Sequence, residues 1–381
     1  MKNLIVRLAI PALLLLLIGG GAGAQENKLE TAFDSVMQKF SAVGASVAVI
    51  KDGKVIYNHS FGLKDLDRKI PLENSDIFRI ASISKSFSAT SIMQLVEAGK
   101  LSLDDDFGDL VGFKIRNPKY PDVKITLKMA LSHTSSLNDS QGYLNLDLIN
   151  PAKNADWAKC YNEYEPGTKF NYCNLNFNLI GTIIEKKSGE RFDAYVKSHI
   201  LKPLGLYGGY CIDSLDSARF VKLYEYQPVA KSFTEATSAY APRRTEIGNY
   251  VMGYSTPIFS PTGGMKISAG DLARYMVMHM NYGKTGGVRL ISRKSARLMQ
   301  TPLSADEDYG LALRGTKTLI PNISLIGHTG SAYGLYSTMF FEPKRKFGFV
   351  IITNGINATY TGDFPDFSRA AINLLYNYFV K

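Results

Sequence analysis

The sequence predicts a mixed α/β (α+β) fold in which both ends of the chain contribute strands to one sheet and the middle supplies helices and loops. Three observations carry this. The first is a strong hairpin signal near the start, ASVAVI and KVIYNH around Asp52-Gly53. The second is a strand pair near the end, YSTMFFE and FGFVIIT, joined through Pro343, Lys344, Arg345 and Lys346. The third is helical spacing at both termini: Leu29, Phe33, Met37 and Phe40 within residues 27–42, and Ala370, Ile372, Leu374, Leu375 and Phe379 within residues 366–379.

In chain order, Lys2 and Arg7 supply a positive n-region, Leu8 to Ile18 an apolar run, and Ala22-Gly23-Ala24 a small-residue cleavage pattern. That composition describes a secretory signal peptide, residues 1–24, with the mature chain expected to begin at Gln25. An apolar run containing Pro11 is short for a membrane span, and no cysteine stands at the cleavage point to carry a lipid. The expected localisation is therefore exported, periplasmic or extracellular, with no stable membrane anchor after cleavage.

The formal charge of +10 falls to +8 once Lys2 and Arg7 leave. A basic surface suits a polyanionic environment such as a cell envelope and serves solubility equally well. No dense Lys/Arg run interleaved with aromatics points to nucleic acid. The 45% hydrophobic content is ample for one large core. Cys160, Cys173 and Cys211 are too few for a disulfide scaffold, although export would permit one bridge. His59, His133, His199, His279 and His328 form no HxH, HxxH or HExxH grouping, so no metal and no cofactor is expected.

A turn-rich connection with Pro71 leads to RIASISKSFSA, residues 79–89, and to a helix that stops near Gly99. Its apolar residues, Ile83, Phe87, Ile92, Met93, Leu95 and Val96, occupy several faces, which predicts burial. Ser82 and Lys85, three positions apart, share one face. Alone, the pair reads as an N-cap and a solvated lysine. On a buried helix it reads as a nucleophile with its base attached, because burial lowers an amine's pKa. The first-turn N–H groups and the helix dipole would favour a developing oxyanion.

Residues 100 to about 260 read as mostly helical and loop-rich, with helices at 126–133, 174–188 and 192–201. The stretch 205–260, rich in Tyr, Gly and Pro, reads as a long irregular excursion. Arg243 and Arg244 within it are candidates for a carboxylate or for solvated surface charge. From Gly263-Gly264 the chain returns to a helix over 269–281 and to strands near 309–315 and 322–329. No internal repeat is present.

Two further clusters add chemistry. In EPGTKFNYCNLNFNLIGTIIEKKSG, residues 165–189, a Pro-Gly turn precedes Tyr172-Cys173-Asn174 at a helix start. A phenol can relay or accept a proton if neighbouring cations lower its pKa, and a carboxamide can orient an amide substrate or hydrogen-bond the lysine. Tyr143-Leu144-Asn145 has the same spacing without that context. In LIGHTGSAYG, residues 325–334, His328-Thr329-Gly330 is expected at the end of a strand. The glycine lets a substrate backbone approach, the histidine and threonine offer hydrogen bonds, and the next backbone N–H is a candidate second oxyanion donor.

Ser82-Ile83-Ser84-Lys85, Tyr172-Cys173-Asn174 and His328-Thr329-Gly330, in that order and at those separations, resemble the three motifs of penicillin-recognising serine hydrolases. The branch is the class C β-lactamase-like one, which includes D-Ala-D-Ala carboxypeptidases, D-aminopeptidases and esterases. DIFRIASISKSFSA, LSHTSSL, KPLGL and GGMKISAGDLARYM extend the resemblance over nearly all the mature chain. It implies a β-lactamase/transpeptidase-like fold, an antiparallel sheet flanked by the terminal helices with a mostly helical subdomain across the cleft. The division expected is 25–80 with 262–381 for the sheet part and 81–261 for the helical part. The resemblance further implies that Ser82 is acylated, Lys85 takes its proton and Tyr172 shuttles a proton to the leaving group. It implies that Asn174, His328, Thr329 and Gly330 bind substrate, and that the N–H groups of Ser82 and Ser331 form an oxyanion hole.

Class C β-lactamases usually carry lysine at the position of His328 and glycine at that of Ser136; a neutral imidazole anchors a carboxylate less well than an ammonium. The expected function is an exported hydrolase that forms an acyl-enzyme on amides, as a D-amino-acid peptidase or D-Ala-D-Ala carboxypeptidase-like penicillin-binding enzyme. A class C-type β-lactamase, an esterase and a non-hydrolytic penicillin- or muropeptide-binding protein are the alternatives. The expected partners are a small peptide, a peptidoglycan fragment or a β-lactam. No G-x-S-x-G elbow supports an ordinary α/β-hydrolase.

Overall fold

The computed structural model describes residues 19–381, with side chains from residue 28 onward. Of the expected signal segment, residues 1–18 lie outside the described residues, and 19–24 open helix α1 (Gly19–Lys39). Strands β1 (Gly44–Lys51) and β2 (Lys54–Asp65) follow as the expected hairpin. Its turn places Asp52 and Gly53 at φ 53° and 72°, the left-handed pair that a two-residue turn of this type requires. After β3 (Ile70–Pro71) and β4 (Phe78–Arg79), a 3₁₀ turn over Ala81–Ile83 runs into α2 (Ser84–Glu97).

The middle of the chain holds α3 (Phe107–Val111), α4 (Leu127–Leu131), α5 (Asn174–Ser188) and α6 (Phe192–Val196), the last continued by a π-helical turn to Leu201. The helix expected over 126–133 starts at its Thr126 cap but stops at Leu131, because His133 and Ser136 take φ of 58° and 61°. The 205–260 excursion is less irregular than its composition suggests. It contains β5 (Gly208–Gly209), a hairpin of β6 (Tyr224–Gln227) and β7 (Ser232–Glu235), and α7 (Arg244–Gly248).

The return leg is β8 (Lys266–Ile267), α8 (Ala269–Met280), β9 (Lys284–Thr285), β10 (Val288–Arg289) and α9 (Arg293–Met299). The strand expected near 309–315 shrinks to β11 (Arg314–Thr316), since residues before it fold into a buried loop with Ala312 at φ 58°. β12 (Leu325–Ala332), β13 (Leu335–Glu342) and β14 (Phe347–Thr353) complete the main sheet, followed by β15 (Tyr360–Thr361), β16 (Phe364–Pro365) and α10 (Asp366–Phe379). His328-Thr329-Gly330 thus lies within β12 rather than at its end.

The main sheet is antiparallel with strand order β11-β12-β13-β14-β1-β2-β3, so the two chain ends meet where β1 pairs with β14. Alternate residues of β1 then enter two different cores. Ala45, Val47 and Val49 join Phe33, Phe367, Ile372 and Leu375 of the terminal helices, whereas Ala48 and Ile50 join the larger cluster around α2, α5 and α8. α2 is buried along most of its length, with Phe87, Ile92 and Leu95 packed between sheet and helices. A buried helix fixes its side chains, and that rigidity holds the site.

Candidate active site

Ser82 sits in the 3₁₀ turn and Lys85 one turn on, at the first turn of α2. The turn is sharp because Ala81 adopts φ 46°, a left-handed conformation costing a non-glycine residue about 1–3 kcal/mol. Lys85 is fully buried. Its Nζ lies 3.1 Å from Ser82 Oγ, 2.8 Å from Asn174 Oδ1 and 3.0 Å from the Thr262 carbonyl oxygen. Burial lowers its pKa from 10.5 to about 7, with Asp139 pulling the other way and no carboxylate in ion-pair reach among the described residues. The geometry then selects where the lone pair points. Asn174 Oδ1 and the Thr262 carbonyl can only accept, so a neutral amine donates both its hydrogens to them and turns its lone pair to the Ser82 hydroxyl.

Asn174 is held as firmly as it holds. Its Oδ1 also accepts from Thr262 Oγ1 at 2.8 Å, and its Nδ2 donates to Asp139 Oδ2 at 2.9 Å. Both ends of the carboxamide are therefore engaged within the protein, on the lysine-orienting side of the two roles open to it in the sequence. Asp139 accepts in addition from the backbone N–H of Asn174 (2.8 Å) and Leu175 (3.0 Å). It thereby caps α5, whose own N-cap, Cys173, makes no side-chain cap bond.

Tyr172 stacks its ring over Lys85, 4.7 Å from Nζ to centroid, and is 37% exposed at the cleft mouth. Its pKa moves up, not down: the partial loss of solvent around the phenol outweighs the opposing hydrogen-bonding contact with Ser82. The condition under which the phenol would accept a proton, a pKa lowered by neighbouring cations, is not met. A neutral phenol still relays protons.

His328 is 3% exposed, and burial drives its pKa to about 3. Its Nδ1 meets the carbonyl oxygen of Thr329, an acceptor, so Nδ1 carries the proton and Nε2 accepts from Tyr309 Oη at 3.0 Å. The imidazole is neutral with both nitrogens occupied. The nearby cation is instead Arg314, whose Nη2 donates to Glu307 (2.8 Å) and Asp363 (2.9 Å). Gly330 explains itself by contact: a Cβ there would lie 2.3 Å from the Ile80 carbonyl oxygen and 3.0 Å from Ser82 N. β12 therefore runs directly against the serine turn, with Ser331 next along it. Ser82, Tyr172, Tyr309, Arg314, His328 and Ser331 line a cavity of about 420 Å³. The three cysteines are free and buried, and no group of three or more His, Cys, Asp or Glu side chains among the described residues could hold a metal.

Asp139, Thr262, Tyr309 and Arg314 were not singled out by sequence. Asp139 follows LSHTSSL and Thr262 precedes Gly263-Gly264, so their proximity to recognisable motifs was the available signal.

The model of the Beta-lactamase family matches residues 29–363. The chain belongs to that family. That family is of the penicillin-recognising, β-lactamase-like serine hydrolase type. Protein flp of Staphylococcus aureus (strain MW2) is 24% identical over 350 residues, covering 88% of this chain. This chain spans only 64% of that protein's length. Penicillin-binding protein 4* of Bacillus subtilis (strain 168) is 32% identical over 186 residues, 47% of this chain and 40% of its own. Among solved structures, the octameric penicillin-binding protein homologue from Pyrococcus abyssi superposes with a TM-score of 0.72 at 26% identity, over 92% of this chain and 77% of that one. The D-amino acid amidase of Ochrobactrum anthropi SV3, complexed with D-phenylalanine, has a TM-score of 0.70 at 19% identity, over 93% and 99%.

Proposed function

We propose that this is an exported acyl hydrolase that cleaves amide bonds of D-amino-acid peptides or amides, D-Ala-D-Ala peptidoglycan stems included, through an ester on Ser82. The observation that carries the reading is the buried Lys85, turned by two acceptor-only partners so that its neutral form presents a lone pair to Ser82. Ser82 Oγ attacks the substrate carbonyl carbon as its proton passes to Lys85 Nζ. The negative charge that develops on the carbonyl oxygen is met by the N–H groups of Ser82 and Ser331, beside the helix N-terminus. The C–N bond then breaks as the neutral phenol of Tyr172 relays a proton to the leaving nitrogen, and is itself reprotonated from Lys85. Water attacks the ester by the same route and frees Ser82. Asn174 and Asp139 act as positioning residues for the lysine, Thr329 and Gly330 flank the substrate, and His328 supports the wall through Tyr309. Within this reading, residues 25–80 and 262–381 form one side of the cleft and 81–261 the other.

The neutral His328 supports slow rather than efficient β-lactam turnover, because a β-lactam carboxylate meets no free cation there among the described residues. Intact-protein mass spectrometry over time with a penicillin tests the reading. The expected result is one adduct, absent in Ser82→Ala, that decays over many minutes. Absence of an adduct with penicillins, D-aminoacyl amides and esters alike would overturn it. Rapid decay would instead favour a β-lactamase.

A further inference from the structure

A second cavity, of about 290 Å³, is lined by residues that neighbour the Ser82 turn and β12 in the chain. Arg79, three residues before Ser82, and Tyr333, two after Ser331, both line it. Its floor is the short sheet β4-β8-β5, in which Arg79 and Lys266 are direct cross-strand partners. Like charges directly opposite one another on a sheet are destabilising, and a buried charge costs several kcal/mol unless paired. Here both conditions hold. Lys266 is 6% exposed and its ammonium donates only to the Tyr210 carbonyl oxygen, at 2.8 Å. Arg79 donates to the carbonyl oxygens of Gly263 (2.9 Å) and Ala239 (3.4 Å) and lies over the Tyr333 ring. Neither has a carboxylate partner among the described residues. Arg243 lines the same cavity and is balanced by Glu246, at 2.8 Å. Glu246 lines the cavity too but is engaged by Arg243, and Asp213, which acts on Lys266 only at a distance, is engaged by Arg244 at 3.1 Å, so among the described residues Arg79 and Lys266 have no ion-pair partner of their own. Burial, with Arg79 adding to it, also lowers the Lys266 pKa to about 7, so a bound anion would hold its proton in place.

The position says what the anion belongs to. Tyr172 lines the first cavity, and as the group that protonates the leaving nitrogen it places the leaving group there. The acyl part, on the other side of the reacting carbonyl, then extends toward Tyr333 and the second cavity. We propose that the pocket of Arg79, Lys266 and Arg243 binds a carboxylate on the acyl side of the substrate, so that the preferred acyl donor is anionic. This rests on the Ser82 acyl-enzyme reading for its orientation, but its test does not require turnover.

The test is calorimetric titration of Ser82→Ala protein with N-succinyl-D-alanine amide and with N-butyryl-D-alanine amide, which match in chain length and differ in one carboxylate. The succinyl compound is expected to bind at least tenfold tighter. Adding Lys266→Met should reduce that preference to under twofold, with thermal unfolding confirming that the variant is folded. Arg243→Gln, at a half-exposed position, should lower the preference severalfold if Lys266→Met proves unstable. Equal affinities, no measurable binding of either compound, or a preference untouched by both substitutions would overturn the proposal. Succinate alone binding in a Lys266-dependent way, without any advantage for the succinyl compound, would make the pocket a free-anion site and overturn the acyl-side assignment. Failure of Ser82 to acylate while the preference holds would instead count against the hydrolase reading alone.

Discussion

Replacing Lys85 by methionine should abolish acylation and at the same time make the protein more stable. Methionine has nearly the same length and no charge to desolvate. In the folded protein, burial holds the Lys85 pKa at about 7, against 10.5 for a free side chain. That difference corresponds to about 5 kcal/mol at ~1.4 kcal/mol per pKa unit, of which about 4 bears on the fold at pH 7. Methionine removes this penalty but leaves the Thr262 carbonyl oxygen without its donor, at about 1–2 kcal/mol, while Asn174 Oδ1 keeps Thr262 Oγ1. The net expectation is a gain of about 2–3 kcal/mol at neutral pH. The sign with pH follows from proton counting. Between about pH 7 and 10.5 the unfolded chain binds one proton at position 85 that the folded chain does not, so stability rises with pH by about 1.4 kcal/mol per unit from this group. Lys266, lowered to about 7 by burial, contributes in the same direction in both proteins, as do the cysteines in the opposite one, so the difference between parent and variant isolates Lys85. Urea unfolding of the two proteins at several pH values from 7.5 to 9 measures it. The parent's stability should rise more steeply than the variant's by about 1.4 kcal/mol per unit. Parallel slopes, or a variant less stable than the parent at pH 7.5, would show that Lys85 is charged in the fold and refute the argument for it as a base.

Two other substitutions probe the geometry around the serine. Gly330→Ala puts a methyl group into the Ile80 carbonyl and against Ser82 N, so the acylation rate should fall at least a hundredfold while the fold loses about 1–3 kcal/mol; stopped-flow acylation with thermal melts reads both. Asp139→Asn replaces an acceptor-only group by one with an amide nitrogen facing the donors at the start of α5, with an expected loss of about 2 kcal/mol in stability and a tenfold or greater fall in acylation rate. A full rate at wild-type stability would show that the Asn174–Lys85 arrangement does not depend on Asp139.

Much of the site was legible because its chemistry is local. Ser82 and Lys85 are one helical turn apart, and the apolar residues around them on several faces predict the burial that the lysine needs. The bounds of α5 were readable from the turn before it and the glycine after it, and Asp52-Gly53 named its own turn. What escaped acts at a distance or through the backbone. Asp139 caps a helix that starts 35 residues later, and Thr262 serves Lys85 through a carbonyl that every residue possesses. The direction of the Tyr172 pKa was left conditional on neighbouring cations, and desolvation of the phenol, which no local spacing reveals, raises it instead. The β6–β7 hairpin escaped because its strands alternate only between exposed and half-buried positions after Tyr224, and its turn has Lys231 where glycine or asparagine would mark a positive φ.

The charges on either side of Ser82 give the site a polarity that the three motifs do not encode. On the Tyr172 side, His328 is neutral and Arg314 stands between Glu307 and Asp363, so that cavity holds one positive group against two negative ones. A leaving group with a terminal carboxylate must compete with Glu307 and Asp363 for Arg314, whereas a neutral amide nitrogen or an amine enters unopposed. On the Tyr333 side, Arg79 and Lys266 face each other with no ion-pair partner of their own among the described residues. The substrate that both cavities favour is therefore negative in its acyl part and neutral or positive in its leaving group. Among the acyl-enzyme readings this ranks a plain amide or an internal D-amino-acid bond ahead of a C-terminal D-alanine, because only the C-terminal residue brings a carboxylate to the side where the positive charge is already taken.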